Sequence, residues 1–313
     1  RIHPTTNSFS PDMAKRYRGS GQTRHPTVCL VACYFGPLPQ WIDHFLISCA
    51  HNPTIYFLLV TDQETVTEIP SNVSFKLLSE SGFNLLASDT TGVEVQLSHP
   101  RKLCDFKPLY GHLFEDCLDG YDYWGYTDID IIYGDIRRFL SASHLQEYDL
   151  YTARKEFLVG HFTLFRNTPN LRTLYQQGAD YQAVLQSPEV LSFDECGRQW
   201  AQRLQGKPLT NAAACDSMTH IVHRLMARKK IAARFSPDVI EGPELGYNGW
   251  RLRWEAGKLW RLNERCEAMY FHFREYKLNA GYLDPSPLAG NTVFEMSPVG
   301  IEPGYAVIHP NLD

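Results

Sequence analysis

A chain of 313 residues with 43% hydrophobic and 21% charged content has the composition of a globular protein with ample core, in one large or two small domains. A net charge of −5 does not favour nucleic acid as the main partner, and no apolar run approaches the ~20 residues of a membrane span. The eight cysteines (Cys29, Cys33, Cys49, Cys104, Cys117, Cys196, Cys215 and Cys266) contain no Cys-x-x-Cys pair, which argues against structural zinc and for reduced thiols in a cytoplasmic setting.

A start at Arg1 rather than Met leaves a preceding targeting segment open. Residues 1–26 are polar, basic and rich in Ser, Thr, Gly and Pro, and are expected to form a flexible arm. Thr27–Phe35 reads as the first buried strand, broken at Gly36-Pro-Leu-Pro39, and Trp41–Ala50 has helical spacing. Ile55–Thr61 is a second apolar strand ending at Asp62, Val73–Leu77 a third, and a helix follows around Leu85. This rhythm predicts a parallel α/β sheet whose ligand sits beyond the carboxyl ends of the strands. Tyr34, Phe35, Gly36 and Asp62 are therefore candidates for nucleoside contact. Asp62 suits either a base or ribose hydroxyl, or an ordinary turn.

Pro108 disfavours helix at Lys107 and predicts a helix over 108–118. Lys102, Asp105 and Lys107 would gather at its N-terminal end, where lysines can hold phosphate; a solvated charge cluster is the plainer alternative.

Tyr121–Thr127 is aromatic and β-prone, and it closes in Asp128-Ile-Asp130 before Ile131, Ile132 and the breaker Gly134. Side chains alternate along extended chain, so the two carboxylates should share a side. In apolar surroundings they would repel unless neutralised, and a divalent cation such as Mn²⁺ or Mg²⁺, which commonly brings a phosphate, is the economical partner. Two aspartates leave such an ion open positions. His272, in the late strand Ala268–Phe273, is a candidate third ligand, with a satisfied core histidine as the alternative. Lys277, just downstream, could counter diphosphate charge.

A short helix is expected over Ile136–Leu140 and a strand after Phe157, opened by Gly160-His161. Helices are expected over 168–186, over 194–205 with Asp194 as its cap, and over Cys215–Lys229. Arg251–Leu262 suggests a hairpin about Gly257-Lys258, and the last thirty residues read as irregular. Asp194 and Glu195 form an acidic pair after a loop, where a helix is expected to open. They read either as a general base or as helix-start chemistry.

Cys33–Pro39, Asn52-Pro53 with Phe57–Asp62, Lys102–Pro108, Tyr123–Asp135, Gly160-His161-Phe162 and Tyr270–Phe273 together resemble a bacterial glycosyltransferase family of GT-A fold, associated with capsule and O-antigen gene clusters. The resemblance covers roughly residues 27–280. It implies an α/β, GT-A-like chain: a Rossmann-like nucleotide-binding half (27–135), an acceptor-side half (136–280) and an irregular tail (281–313). It further implies Mn²⁺ or Mg²⁺ on Asp128, Asp130 and His272, a UDP-hexose donor, and a glycan or lipid-linked glycan acceptor at the cytoplasm, with peripheral attachment to the inner membrane left open. Tyr34, Phe35, Gly36, Asp62, Lys102, Asp105, Lys107, Asp128 and Lys277 would serve the donor. His161, Asp194 and Glu195 would serve the sugar and acceptor.

Related families share a late metal-binding histidine and a Lys-x-x-Asp segment, here His272 and Lys102–Asp105, and retain anomeric configuration. Their His-x-x-Gly-x-x-Lys pattern is replaced by His272-Phe-Arg-Glu-Tyr-Lys277, without the glycine. The rivals are a haloacid-dehalogenase-type phosphatase and a non-catalytic carbohydrate-binding protein.

Overall fold

The computed structural model describes residues 25–64, 69–210, 212–241, 250–274, 276 and 293–304. The chain runs through β1 (Val28–Tyr34), α1 (Ile42–Ala50), β2 (Ile55–Thr61), β3 (Val73–Leu77), α2 (Glu80–Thr91) and β4 (Tyr123–Thr127). It continues through β5 (Ile131–Tyr133), β6 (Leu150–Thr152), β7 (Phe162–Arg166), α3 (Met218–Ala227), β8 (Ala233–Phe235) and β9 (Val239–Glu241). It then forms β10 (Leu252–Glu255), β11 (Lys258–Arg261), β12 (Cys266–Ala268), β13 (Tyr270–His272), β14 (Val293–Ser297) and β15 (Gly300–Pro303).

Two compact units result. Of the described residues, the first takes those up to Pro37, Thr54–Asp128 and Leu140–Pro237, and the second Leu38–Pro53, Ile129–Phe139 and those from Asp238 on.

The first unit is built on a seven-stranded sheet of order β3-β2-β1-β4-β7-β6-β8. β1, β2, β3 and β4 are mutually parallel, whereas β7 runs antiparallel to β4 and β6. The α/β class, with a mixed sheet and helices, is as the sequence predicts. From β1 the chain lays β2 and β3 on one side and returns to place β4 on the other, so a switch point lies between the carboxyl ends of β1 and β4. β2 is buried along its whole length, as expected for a continuous apolar run within a sheet. α2 is capped by Ser79, whose Oγ accepts from the Gly82 amide (3.0 Å), and it ends at Gly92 with φ 68°. Its buried Phe83 meets Phe35 and Phe106 edge-on in the main core.

β4 is wholly buried, and Trp124 stacks on Phe165 of β7 at 4.6 Å. Two glycines make this possible. A β-carbon on Gly111 would fall on the Trp124 ring, and one on Gly125 would fall on the Thr163 carbonyl of the paired strand. Gly125→Ala is therefore expected to cost about 1–3 kcal/mol through strand displacement. A denaturant midpoint unchanged from the parent would show that β4 and β7 have room to part.

The second unit holds a five-stranded antiparallel sheet (β12-β11-β10-β14-β15) and a three-stranded one (β5-β13-β9). The predicted hairpin forms as β10 and β11, turning at Ala256 and Gly257 with φ 46° and 81°, both in the left-handed region a two-residue hairpin requires. Trp254 stacks on Phe294 at 5.0 Å and donates to the Tyr133 carbonyl (2.7 Å).

Several local expectations are corrected. The helix predicted over 108–118 is a chain of short turns, with a break at Phe114 (φ −118°, ψ 28°) between Tyr110–Leu113 and Glu115–Leu118. The one predicted over 168–186 is likewise divided into Pro169–Arg172, Leu174–Gln177 and Tyr181–Gln186. No helix starts at Asp194; the nearest one downstream is Trp200–Leu204, preceded by Gln199. Within the tail read as irregular, β14 and β15 pair with each other and β14 with β10, so partners supply the order that local composition did not signal. The predicted arm lies, up to residue 24, outside the described residues.

Candidate metal and donor site

β4 carries the acidic motif at its carboxyl end. In the first unit, Asp128 pairs with Lys107: Nζ lies 2.6 Å from Oδ1, with the lysine side chain 5% exposed and the aspartate 32%. Burial alone would push the Lys107 ammonium towards neutrality, yet its pKa is raised because Asp128 lies beside it. In the second unit, β5 and β13 pair with His272 opposite Ile131, and the Phe273 amide donates to the Asp130 carbonyl (3.2 Å). That register brings His272 Nε2 to 3.4 Å from Asp130 Oδ1, both side chains 6% exposed.

Asp128 and Asp130 are two residues apart, so the chain itself tethers them at no more than about 7 Å between Cα atoms. Asp130 and His272 thus hold a carboxylate oxygen and an imidazole nitrogen side by side, two residues along the chain from the Asp128 carboxylate. Two carboxylate oxygens and an imidazole nitrogen form a donor set that fits Mn²⁺, and Mg²⁺ less well because of the nitrogen. Asn52 supports this region from within the second unit. Its Nδ2 donates to the Gly134 and Ser48 carbonyls (2.8 and 3.0 Å), and its Oδ1 accepts from the Ile136 amide (2.9 Å). In the sequence Asn52 entered only through the Asn52-Pro53 part of the resemblance, with no role given to it.

At the ends of β1 and β2, Asp62 Oδ1 accepts from the Gly36 amide (2.9 Å) and from Gln63 Nε2 (2.8 Å). These bonds, that from Gln63 foremost, hold its carboxyl below the usual aspartate range. Gly36 has φ 98°, which only glycine adopts without strain, so the Tyr34-Phe35-Gly36 turn and Asp62 form one fixed edge. Gln63 was missed by sequence reasoning.

Lys102 and Asp105, expected at the phosphates, are instead turned inward. Both are fully buried, and the lysine's three protons go to Asp105 Oδ2 (2.8 Å) and to the Val184 and Glu189 carbonyls (2.8 and 2.7 Å). A buried ammonium must satisfy all its donors, and these three acceptors do so. Lys107 alone of that cluster reaches the acidic motif. Lys277 lies outside the described residues.

His161 is 3% exposed and immediately precedes β7. Next to it, the Gly160 amide donates to Glu195 Oε1 (3.0 Å), and Glu195 Oε2 accepts from Trp200 Nε1. The Asp194 carboxylate packs against Gly160 where a side chain would otherwise begin, and it is 2% exposed. Burial and then Glu195 push its pKa well above the usual range, opposed by Lys107, with Asp128 adding to the rise. Asp194 thus lies within electrostatic reach of the Lys107–Asp128 pair.

All eight cysteines are free. Among the described residues, no helix is long and apolar enough to cross a membrane.

No curated protein matches the sequence. Solved structures that match this chain include a galactosyltransferase, LgtC, in complex with donor and acceptor sugar analogs, at 10% identity and a TM-score of 0.36, covering 79% of this chain and 87% of that one. Mouse xyloside xylosyltransferase 1 is 10% identical with a TM-score of 0.36, over 80% of this chain and 99% of its own. The glycosyltransferase GlyE of Streptococcus pneumoniae TIGR4 is 14% identical with a TM-score of 0.31, over 66% and 45%. Residues 30–289 match the model described as "Family of unknown function (DUF6625)", and the chain belongs to that family.

Proposed function

We propose that this chain is a metal-dependent glycosyltransferase of GT-A-like fold, moving a hexose from a UDP-sugar to a bacterial surface glycan or its lipid-linked precursor. The observation that carries the reading is the acidic motif itself: Asp128 ends β4 at the switch point of the β3-β2-β1-β4 sheet, and two residues on, Asp130 lies 3.4 Å from His272. A bound Mn²⁺ or Mg²⁺ supplies charge neutralisation for the leaving nucleoside diphosphate.

The chain's own groups do the rest. Asp130 and His272 offer ligand atoms from the β5–β13 pair, and Asp128 adds a third from the end of β4. The Gly36 turn and Asp62 receive the nucleoside, with Asp62 ionised to accept from a hydroxyl. Lys107 stands beside the motif as a fixed cation for the phosphates. His161, Asp194 and Glu195 border the sugar and the acceptor hydroxyl. Retention of anomeric configuration is the course the resemblance favours. A haloacid-dehalogenase-type phosphatase needs its nucleophilic aspartate on the first strand, whereas here the motif follows the fourth.

Thermal shift and donor hydrolysis with UDP-, GDP- and CMP-linked sugars, each with and without Mn²⁺, test the reading. Mn²⁺-dependent stabilisation and slow hydrolysis of one class are expected; phosphate release from simple monoesters instead would overturn it.

Lys107→Met separates metal from phosphate. With the ammonium gone, the motif is more negative, so Mn²⁺ alone should bind several-fold tighter. UDP in the presence of Mn²⁺ should bind more weakly, while uridine binding is unchanged. Equal losses for uridine and UDP in calorimetry would place Lys107 away from the phosphates.

A further inference from the structure

Lys102 and Asp105 form a fully buried ion pair, and both partners hydrogen-bond to one distant segment. The ammonium donates to the carbonyls of Val184 and Glu189 (2.8 and 2.7 Å). The carboxylate accepts from the amides of Leu191 (2.8 Å) and Phe193 (2.9 Å), one on each oxygen. Residues 187–199 contain neither helix nor strand, so no regular backbone ladder fixes them. Ser192, between the two bonded amides, holds φ 57°, a left-handed conformation that costs a residue with a β-carbon and persists only when its surroundings impose it. Phe193 is fully buried in the core. The next two residues are Asp194 and Glu195, delivered to Gly160.

A buried ion pair seldom adds net stability over apolar packing, whereas its fixed geometry can specify one conformation. We infer that Lys102 and Asp105 are positioning residues: a charged clamp that grips the 184–193 segment by its backbone and so sets Asp194 and Glu195 beside Gly160. The inference rests on the proposed role of that acidic pair next to the acceptor. The clamp binds main chain rather than side chains, so it fixes where the segment lies whatever the sequence of residues 189–193.

Hydrogen exchange resolved at single amides tests the clamp independently of activity. In the unaltered protein, the Leu191 and Phe193 amides should exchange as slowly as those of β1, although they lie in a loop. Loop-like exchange there overturns the inference without any variant. Asp105→Asn is nearly isosteric but offers one acceptor oxygen in place of two charged ones. It should speed exchange at Leu191 or Phe193 roughly ten- to a hundredfold while β1 is unchanged. Uniform loosening of the whole unit would reduce the pair to general scaffolding, and unchanged exchange at both amides would remove it altogether.

Hydrolysis of UDP-glucose and UDP-galactose with Mn²⁺ supplies the kinetic arm. Asp105→Asn should lower kcat with the sugar-nucleotide KM unchanged, matching Asp194→Asn; a raised KM with kcat intact would contradict positioning. If the unaltered protein hydrolyses no nucleotide sugar, the proposed function fails while the exchange measurement still decides the clamp.

Discussion

Asp130→Ala is expected to abolish metal-dependent nucleotide binding and sugar transfer while leaving the fold in place. The Asp130 side chain is 6% exposed, and its carboxylate lies 3.4 Å from His272 Nε2. Its structural bond to Phe273 runs through the backbone carbonyl, which the substitution keeps. Partners that merely orient a metal ligand already account for about 10–100-fold in affinity or activity, so loss of a ligand should exceed that range. Asp128→Ala should behave alike in activity, with the added loss of the Lys107 ion pair. His272→Ala should weaken Mn²⁺ binding by a smaller factor, since both carboxylates remain. Mn²⁺ titration by calorimetry, with circular dichroism as the control for folding, measures this. Full activity in either aspartate variant would remove the metal site from the account, and unfolding of His272→Ala with metal affinity unaltered would make that histidine a core residue.

Asp194→Asn should lower kcat by about 10²–10⁴ if its carboxylate acts as a base or holds the acceptor hydroxyl. Stability should move the other way. The folded pKa of Asp194 is raised by burial and by Glu195, so between the unfolded value near ~3.9 and the folded one the native state holds the extra proton. Stability from this group is therefore present at low pH and is lost as pH rises through the folded pKa. Above that folded pKa the parent carries a buried charge that the neutral amide does not, and Asn should raise the melting temperature there. The gain should shrink towards pH 4. Glu195→Gln keeps the acceptor for Gly160 and tests the second carboxylate. Melting curves from pH 4 to 8 beside kinetics separate the roles: both mutants active with a retained anomer by NMR would leave the acidic pair structural, with the chemistry carried by the donor and its ion.

β1 to β4 were legible because each is an apolar or β-prone run bounded by breakers. Ile55–Thr61 and Val73–Leu77 begin and end where the pattern does, and β1 and β4 are slightly shorter than the runs that announce them. Helices were read less well where the chain is held from a distance. Asp194-Glu195 has the look of a helix start, yet Ser192, Gly197 and Arg198 take positive φ, and the segment is held by Asp105 and by the amides of Met218 and Thr219. Local propensity cannot register a carboxylate that arrives from nearly ninety positions away. The Pro- and Gly-rich tail misled for the complementary reason, since β14 gains its order from pairing with β10.

What the sequence determined by itself is the sheet rhythm and the place of the acidic motif. An aromatic strand closing in Asp-Ile-Asp sets two carboxylates at a strand end whatever lies around them, because the covalent chain allows little else. The tertiary structure decided which charges serve that motif. In the sequence Lys102 and Lys107 are equivalent, five residues apart in one basic cluster. In the fold, one ammonium is consumed by two backbone carbonyls and Asp105, and the other lies 2.6 Å from Asp128. His272 likewise gained its partner only when β13 paired with β5. The reason is common to all three: a buried charged or polar group must find partners, and those partners are fixed by the packing of distant segments rather than by neighbours in the chain.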